Sequence, residues 1–306
     1  MAQRHFLSLK DWSPEEIGQL FDLATRIKSD PGAYAGALAG KSLGMIFQKA
    51  STRTRVSFEV GMFQLGGQAL FLSSNDIQLH RGETIADTAQ VLSRMVHGIM
   101  ARVFAHQDIL DLARHGSVPV INGLSDLLHP CQALADYFTL LEKRGEIAGL
   151  KMTYVGDGNN VAHELMFGAA KLGLRFSLGC PAGYEPNPLM FKSAVREAQR
   201  LGSPLPEVTP DPMEAVAGAD VVYTDVWTSM GQEAESKKRL AAFRGFQVTP
   251  EMMSVAGPQA LFMHCLPAHR GEEVSADVID GPQSVVFDEA ENRLHAQKAV
   301  LVTLLG

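Results

Sequence analysis

Residues 42–73 read "SLGMIFQKASTRTRVSFEVGMFQLGGQALFLS". The opening apolar run, 42–47, has the length and composition of a buried strand. An apolar-periodic helix follows from about Arg53 to Leu65, and Gly66 with Gly67 supplies the residues that stop a helix in a left-handed turn. A second apolar run, 69–73, closes the stretch. Strand, helix and strand in that order make a parallel crossover unit.

The same alternation runs outward in both directions. Upstream, "DWSPEEIGQLFDLATRIK" predicts a helix with Ser13 as N-cap and Pro14 at the first helical position. Downstream, helices are expected over 84–96, 107–116 and 131–145, with strands over 98–104 and 118–123. The second half predicts strands over 151–157, 175–180, 207–210, 220–226 and 260–266. Helices over 160–173, 188–202, near 212–218 and around 234–245 separate them, and a last helix starts at 289. The fold class is therefore α/β, with two doubly wound domains, each a parallel sheet flanked by helices. A charged helix end at "EKRGE" puts the expected boundary near 144–151, giving domains 1–147 and 148–306.

A chain of 306 residues is too long for one ordinary core, which agrees with two domains. Hydrophobic residues make up 46% and charged residues 20%, which argues against disorder. The formal net charge of -7 makes nucleic acid a poor partner, so any bound anion needs a local basic pocket. Three cysteines, Cys131, Cys180 and Cys265, neither make a disulfide framework nor show metal-ligand spacing, and they fit a reducing compartment. No secretory leader and no apolar span of membrane length is evident, so the expectation is a cytoplasmic protein.

In open α/β sheets ligands sit at the carboxyl ends of strands. The segments after the strands are therefore where chemistry is sought. After the first strand, "ASTRTR" (50–55) offers Ser51 or Thr52 as helix cap, bare first-turn amides, and the side chains of Arg53 and Thr54. It reads either as a solvated cap or as an anion site. Two arginines at a helix N-terminus oppose its dipole unless an anion compensates, which favours the site. Arg55, two residues on from Arg53, points elsewhere, to structural ion pairing.

In "HPCQALAD" (129–136), a neutral His129 can donate one hydrogen bond to a carbonyl or oxyanion, and Gln132 offers an amide to a small ligand. A capping histidine at a helix start is the bland alternative. In "DVWTSMG" (225–231), Asp225 could recognise an amine or merely form a turn. In "HCLPAHRG" (264–271), Cys265 reads as a polar contact or small hydrophobe ahead of a nucleophile, and the spacing of His264 and His269 is not that of a metal site. "YVGDGNN" (154–160) lacks the third glycine of a dinucleotide turn.

Together these segments resemble the aspartate/ornithine transcarbamoylase family, through "STRTRVSFE" (51–59), "HPCQALAD", "VGDGNN" (155–160), "DVWTSMG" and "HCLPAHRGEEV" (264–274), in the family's order and spacing over essentially the whole chain. Within the family, "SMG" and "HCLP" point to ornithine as acceptor, with aspartate and putrescine as the alternatives. The resemblance implies that the first domain binds carbamoyl phosphate through Ser51, Thr52, Arg53, Thr54, Arg102, His129, Pro130, Cys131 and Gln132. It implies that the second domain binds L-ornithine through Asn160, Asp225, Ser229 and Met230. Cys265 and Leu266 would lie where the two ligands meet, and Arg293, on a last helix of about 289–305 that returns to the first domain, would reach the phosphate.

The catalytic set on this reading is Arg53, Thr54, Arg102, His129, Gln132, Asp225 and Cys265, with no metal and no cofactor. The family is built on homotrimers, and a loop resembling "NDIQLHRGET" carries Gln78 into a neighbouring subunit's site. His80 stands where the family has a glycine.

Overall fold

The computed structural model describes residues 3–74, 77, 78, 82–228 and 233–306. The chain divides into two compact units, one of residues up to Phe138 together with 291–306, the other of residues 139–290. By its contacts the chain divides inside a helix, a few residues before the 144–151 boundary expected from the sequence. The last sixteen residues belong with the first unit by their contacts, as expected of a returning helix.

The first unit contains strands β1 (Ser42–Phe47), β2 (Gln68–Ser73), β3 (Gly98–Arg102) and β4 (Val120–Leu124). They are parallel and ordered β2-β1-β3-β4. Helix α1 (Pro14–Ser29) starts with a complete capping box between Ser13 and Glu16. Helices α2 (Thr52–Gln64), α3 (Ile85–Leu92), α4 (His106–His115) and the start of α5 (Pro130–Arg144) follow successive strands. Ile46, Ile99, Ala101, Ile109, Leu112 and Val120 are buried in one cluster between sheet and helices.

The second unit holds β5 (Lys151–Val155), β6 (Arg175–Gly179), β7 (Glu207–Thr209), β8 (Val221–Thr224) and β9 (Leu261–His264), all parallel and ordered β7-β6-β5-β8-β9. Helices α6 (Asn160–Leu172), α7 (Pro188–Leu201), α8 (Pro212–Val216), α9 (Ser236–Ala242), α10 (Pro250–Ala256) and α11 (Ala276–Ile279) alternate with them. Helix α12 (Val286–Leu305) starts in this unit and ends in the first.

Several expected elements are shorter. The helix foreseen over 84–96 ends at Leu92, because Arg94 and Met95 donate only three residues back, to Val91 and Leu92, and close tight turns. The strand foreseen to 104 ends at Arg102, where the register with β4 shifts. The helix around 234–245 is α9, stopped before Gly245 at φ 94. Helix α12 begins three residues earlier than expected, and α10 and α11 were not foreseen, although Thr249 and Pro250 form an ordinary N-cap and first position.

Strand order locates the ligand sites. In each sheet the winding reverses once, between β1 and β3 in the first and between β5 and β8 in the second. Crevices open at the carboxyl ends of strands flanking such a reversal. Those ends carry Ser51–Thr54 and Arg102 in one unit, and Asp157–Asn160 and Asp225 in the other.

Candidate active site

In the first unit the end of β1 lies directly beside the end of β3: Phe47 is the register partner of Arg102, and Gln48 N donates to Arg102 O across 2.8 Å. Arg102 is thereby brought next to the loop that leads into α2. Ser51 caps that helix, its Oγ accepting from Thr54 N at 3.2 Å. Thr54 is buried, Arg53 is half-buried, and Thr52 is exposed. Arg55 turns away as its spacing suggests, pairing with Glu59 at 3.0 Å and lying 3.8 Å from the centre of the Phe71 ring.

His129 caps α5 from β4's side, its carbonyl accepting from Gln132 N and Ala133 N. It is buried, and its Nδ1 has no hydrogen-bond partner among the described residues. Burial pushes its pKa well below the usual imidazole value, and Arg293, Arg102 and Arg53 push the same way. His129 is therefore neutral, with one N–H to donate. The positive charges of Arg293, Arg102 and Arg53 all act on this buried ring, and supply the local basic environment that a chain of net charge -7 requires for an anion.

Arg293 arrives from α12. Its Nη2 donates to Thr54 Oγ1 at 3.2 Å and its Nη1 to Gln132 Oε1 at 2.5 Å. Gln132 Nε2 in turn donates to Asp136 Oδ1 at 2.8 Å. Gln132 thus has both ends of its amide engaged within the protein, the oxygen with Arg293 and the nitrogen with Asp136. Pro130 sets the first turn of α5, and the buried Cys131 thiol donates to Asn122 O at 3.3 Å, so that side chain points into the unit. Gln78 is exposed on the segment after β2, its carbonyl accepting from Glu83 N.

In the second unit, Asp225 follows β8 and is buried. Its Oδ1 accepts from the Cys265 thiol at 3.1 Å and from Val226 N at 2.8 Å, and its Oδ2 accepts from Asn159 Nδ2 at 2.9 Å. The Asn159 contact spans the reversal between β5 and β8. Asn159 Oδ1 also caps α6, accepting from Val161 N and Ala162 N, and takes the Tyr154 hydroxyl at 3.2 Å. Burial, and then the nearby Asp225, hold the Tyr154 pKa well above its ordinary value, so the phenol remains a donor. The sequence pointed to Asn160, the first residue of α6; Asn159 makes the contact with Asp225.

One further residue escaped the sequence reading. Arg239 on α9 forms a buried ion pair with Asp157 at 2.7 Å and donates to Trp227 O at 3.0 Å, tying the segment after β8 to the segment after β5. No motif marks that arginine. Cys265 and Leu266 are half-buried after β9, and Leu266 has φ 57. Ser229, Met230 and His80 lie outside the described residues.

Residues 4–142 match the family described as aspartate/ornithine carbamoyltransferase, carbamoyl-P binding domain, and residues 148–304 match its Asp/Orn binding domain. The chain belongs to the aspartate/ornithine carbamoyltransferase family. Its relatives include the ornithine carbamoyltransferase of Thermococcus kodakarensis, 58% identical over all of this chain and 98% of that protein. The Pyrococcus furiosus protein named ornithine carbamoyltransferase, anabolic, is 57% identical over 100% of this chain and 98% of its own length. The solved structure of the P. furiosus enzyme superimposes with a TM-score of 0.95, covering 100% of this chain and 98% of that one.

In this carbamoyltransferase Arg53, Arg102 and His129 fall within the carbamoyl-P binding domain match, whereas Arg293 falls within the residues that match the Asp/Orn binding domain. The Asp225–Cys265 pair lies within its Asp/Orn binding domain.

Proposed function

We propose that the chain transfers the carbamoyl group of carbamoyl phosphate to the side-chain amine of L-ornithine, giving L-citrulline and phosphate. The observation that carries this reading is the convergence of Arg53, Arg102 and Arg293 on neutral His129 beside the first turn of α2. A dianionic phosphate suits the guanidiniums and the bare amides of that turn. The carbamoyl oxygen suits the N–H of a neutral imidazole.

On this reading Ser51, Thr52, Arg53 and Thr54 bind the phosphate, and Arg102 and His129 bind the carbamoyl group. The deprotonated δ-amine attacks the carbonyl carbon, Arg53, Thr54, Arg102 and His129 stabilise the tetrahedral oxyanion, and phosphate leaves. Donors so placed contribute about 2.7 to 4 kcal/mol each. Holding both substrates in register supplies much of the remainder. Asn160, Asp225, Ser229, Met230, Cys265 and Leu266 hold ornithine. An acidic Asp225 suits an amine, whereas an aspartate substrate would call for basic groups in its place.

We further propose a cytoplasmic homotrimer that shares Gln78 between subunits. Three cysteines, none in a disulfide, support the compartment. Gln78 is exposed, as are Val56 and Phe63 on α2, Phe63 by 80%, and Phe71 on β2.

The reading is tested by offering radiolabelled carbamoyl phosphate with ornithine, aspartate or putrescine. Labelled citrulline is expected; product from aspartate or putrescine in its place overturns the ornithine assignment. For the shared site, Arg53→Ala and Gln78→Ala proteins are mixed under conditions that exchange subunits. Recovery of activity in the mixture is expected, and two inactive proteins that stay inactive together argue against sharing.

A further inference from the structure

His264 ends β9 and is fully buried, as is Glu273. The two ring nitrogens have separate tasks. Leu266 N donates to His264 Nδ1 at 2.8 Å, so Nδ1 is an acceptor and the ring proton sits on Nε2. Nε2 lies 3.1 Å from Glu273 Oε1 and donates to it. The same carboxylate oxygen accepts from His269 N at 2.6 Å. The backbone under the ring is also held: His264 N donates to Glu289 Oε2 at 2.9 Å, and the Tyr223 hydroxyl donates to Glu289 Oε1 at 3.1 Å.

This arrangement could be taken for a base waiting to activate Cys265. The bonds say otherwise. Nδ1 is taken by Leu266 N–H, Nε2 gives its proton to Glu273, and the thiol donates to Asp225. What the imidazole does is hold Leu266 at φ 57, a left-handed conformation that leucine rarely adopts and that persists only where its surroundings enforce it. Cys265 sits between the anchored His264 and the anchored Leu266. Its bond to Asp225 therefore depends on that short turn keeping its shape.

We infer that His264, oriented by Glu273, is a positioning residue for the amine substrate: its Nδ1 fixes the left-handed turn at Leu266 and so the presentation of Cys265 and Leu266. This rests on the assignment of those two residues to the amine substrate above. An amine-side role predicts an effect on one substrate only, which a purely structural role does not.

The test compares two isosteric replacements in the full chain. His264→Asn places an amide oxygen near the position of Nδ1, keeping the acceptor for Leu266 N–H while losing Glu273. His264→Gln reaches Glu273 with its amide and leaves Leu266 N–H without an acceptor. His264→Asn is expected to keep KM for the amine substrate within about threefold of wild type, and His264→Gln to raise it on the order of tenfold, the effect of orphaning one such N–H. KM for carbamoyl phosphate is expected to be unchanged in both. Equal amine KM in the two variants, or equal effects on both substrates, overturns the inference.

Should His264→Gln not fold, nitrogen NMR of the wild-type protein with labelled histidine decides. His264, assigned by its loss in His264→Asn, is expected to show an unprotonated Nδ1 and a protonated Nε2; the opposite tautomer overturns the inference. If the wild type carbamoylates a different amine, the ornithine assignment alone falls, and the two variants are compared on that amine.

Discussion

Arg293 and Thr54 stand 239 positions apart in the sequence and are joined by a 3.2 Å hydrogen bond. The same guanidinium holds Gln132, so one fork from the last helix fixes the starts of α2 and α5 against each other. Its planar geometry matters, because a lysine ammonium cannot serve both partners from one rigid frame.

Arg293→Ala should cost about 1 to 3 kcal/mol of stability by leaving Gln132 Oε1 and Thr54 Oγ1 with less than they had. It should also raise KM for carbamoyl phosphate. Arg293→Lys should restore part of the affinity and little of the stability. Thermal melts beside steady-state kinetics separate the two effects, and an unchanged KM in the alanine variant would remove Arg293 from the site.

Arg53 is half-buried, in the first turn of α2. Arg53→Ala should therefore leave the melting temperature close to wild type while reducing kcat on the order of 10² to 10³ fold, the usual result of removing one transition-state donor. Retained activity at full carbamoyl phosphate would sink the phosphate role.

How much of this was legible in the sequence depended on whether the chemistry was local. The stretch ending in "STRTR" carried strand, cap, helix and glycine stop within about thirty residues, so β1, α2 and β2 could be read with only small shifts at their ends. The segments after strands named the residues at both carboxyl ends for the same reason. What could not be read was long-range: that Gln132 Oε1 accepts from Arg293, that Arg239 pairs with Asp157, and that Asn159 bonds Asp225 across the sheet reversal. Each joins positions far apart in the chain whose proximity only the folded structure creates. The short helices α10 and α11, seven and four residues long, escaped the sequence reading.

The Cys265 thiol donates to Asp225, while His264 Nδ1 accepts from Leu266 N and Nε2 faces Glu273. Cys265→Ser should preserve that donor with a shorter reach and reduce turnover only several-fold. Intact-protein mass spectrometry during turnover should find no carbamoylated enzyme. A trapped adduct on Cys265, with complete loss in the serine variant, would make the thiol a nucleophile.

His129 makes a pH prediction whose sign follows from its burial. In the unfolded chain the imidazole titrates near 6.5; in the folded protein burial and the surrounding guanidiniums hold its pKa well below that. As pH falls through about 6.5 the unfolded chain takes up a proton that the folded one refuses, and stability falls by about 1.4 kcal/mol per pH unit until the folded group also titrates. Above that range His129 contributes no slope. His5, His106 and His295 are shifted the same way, chiefly by burial, and add to the loss. Glu197, held down to about 2 by Arg200 and Lys171, acts only below the ordinary carboxylate range, so the windows separate.

Urea unfolding at pH 7.5 and pH 5.5 should therefore show a weaker protein at the lower pH. His129→Gln, which can still donate an N–H, should lose stability less steeply, by close to one proton, while its kcat falls. An unaltered slope in the variant would mean that His129 is charged in the folded protein, and a charged ring would repel the three arginines that the anion site requires.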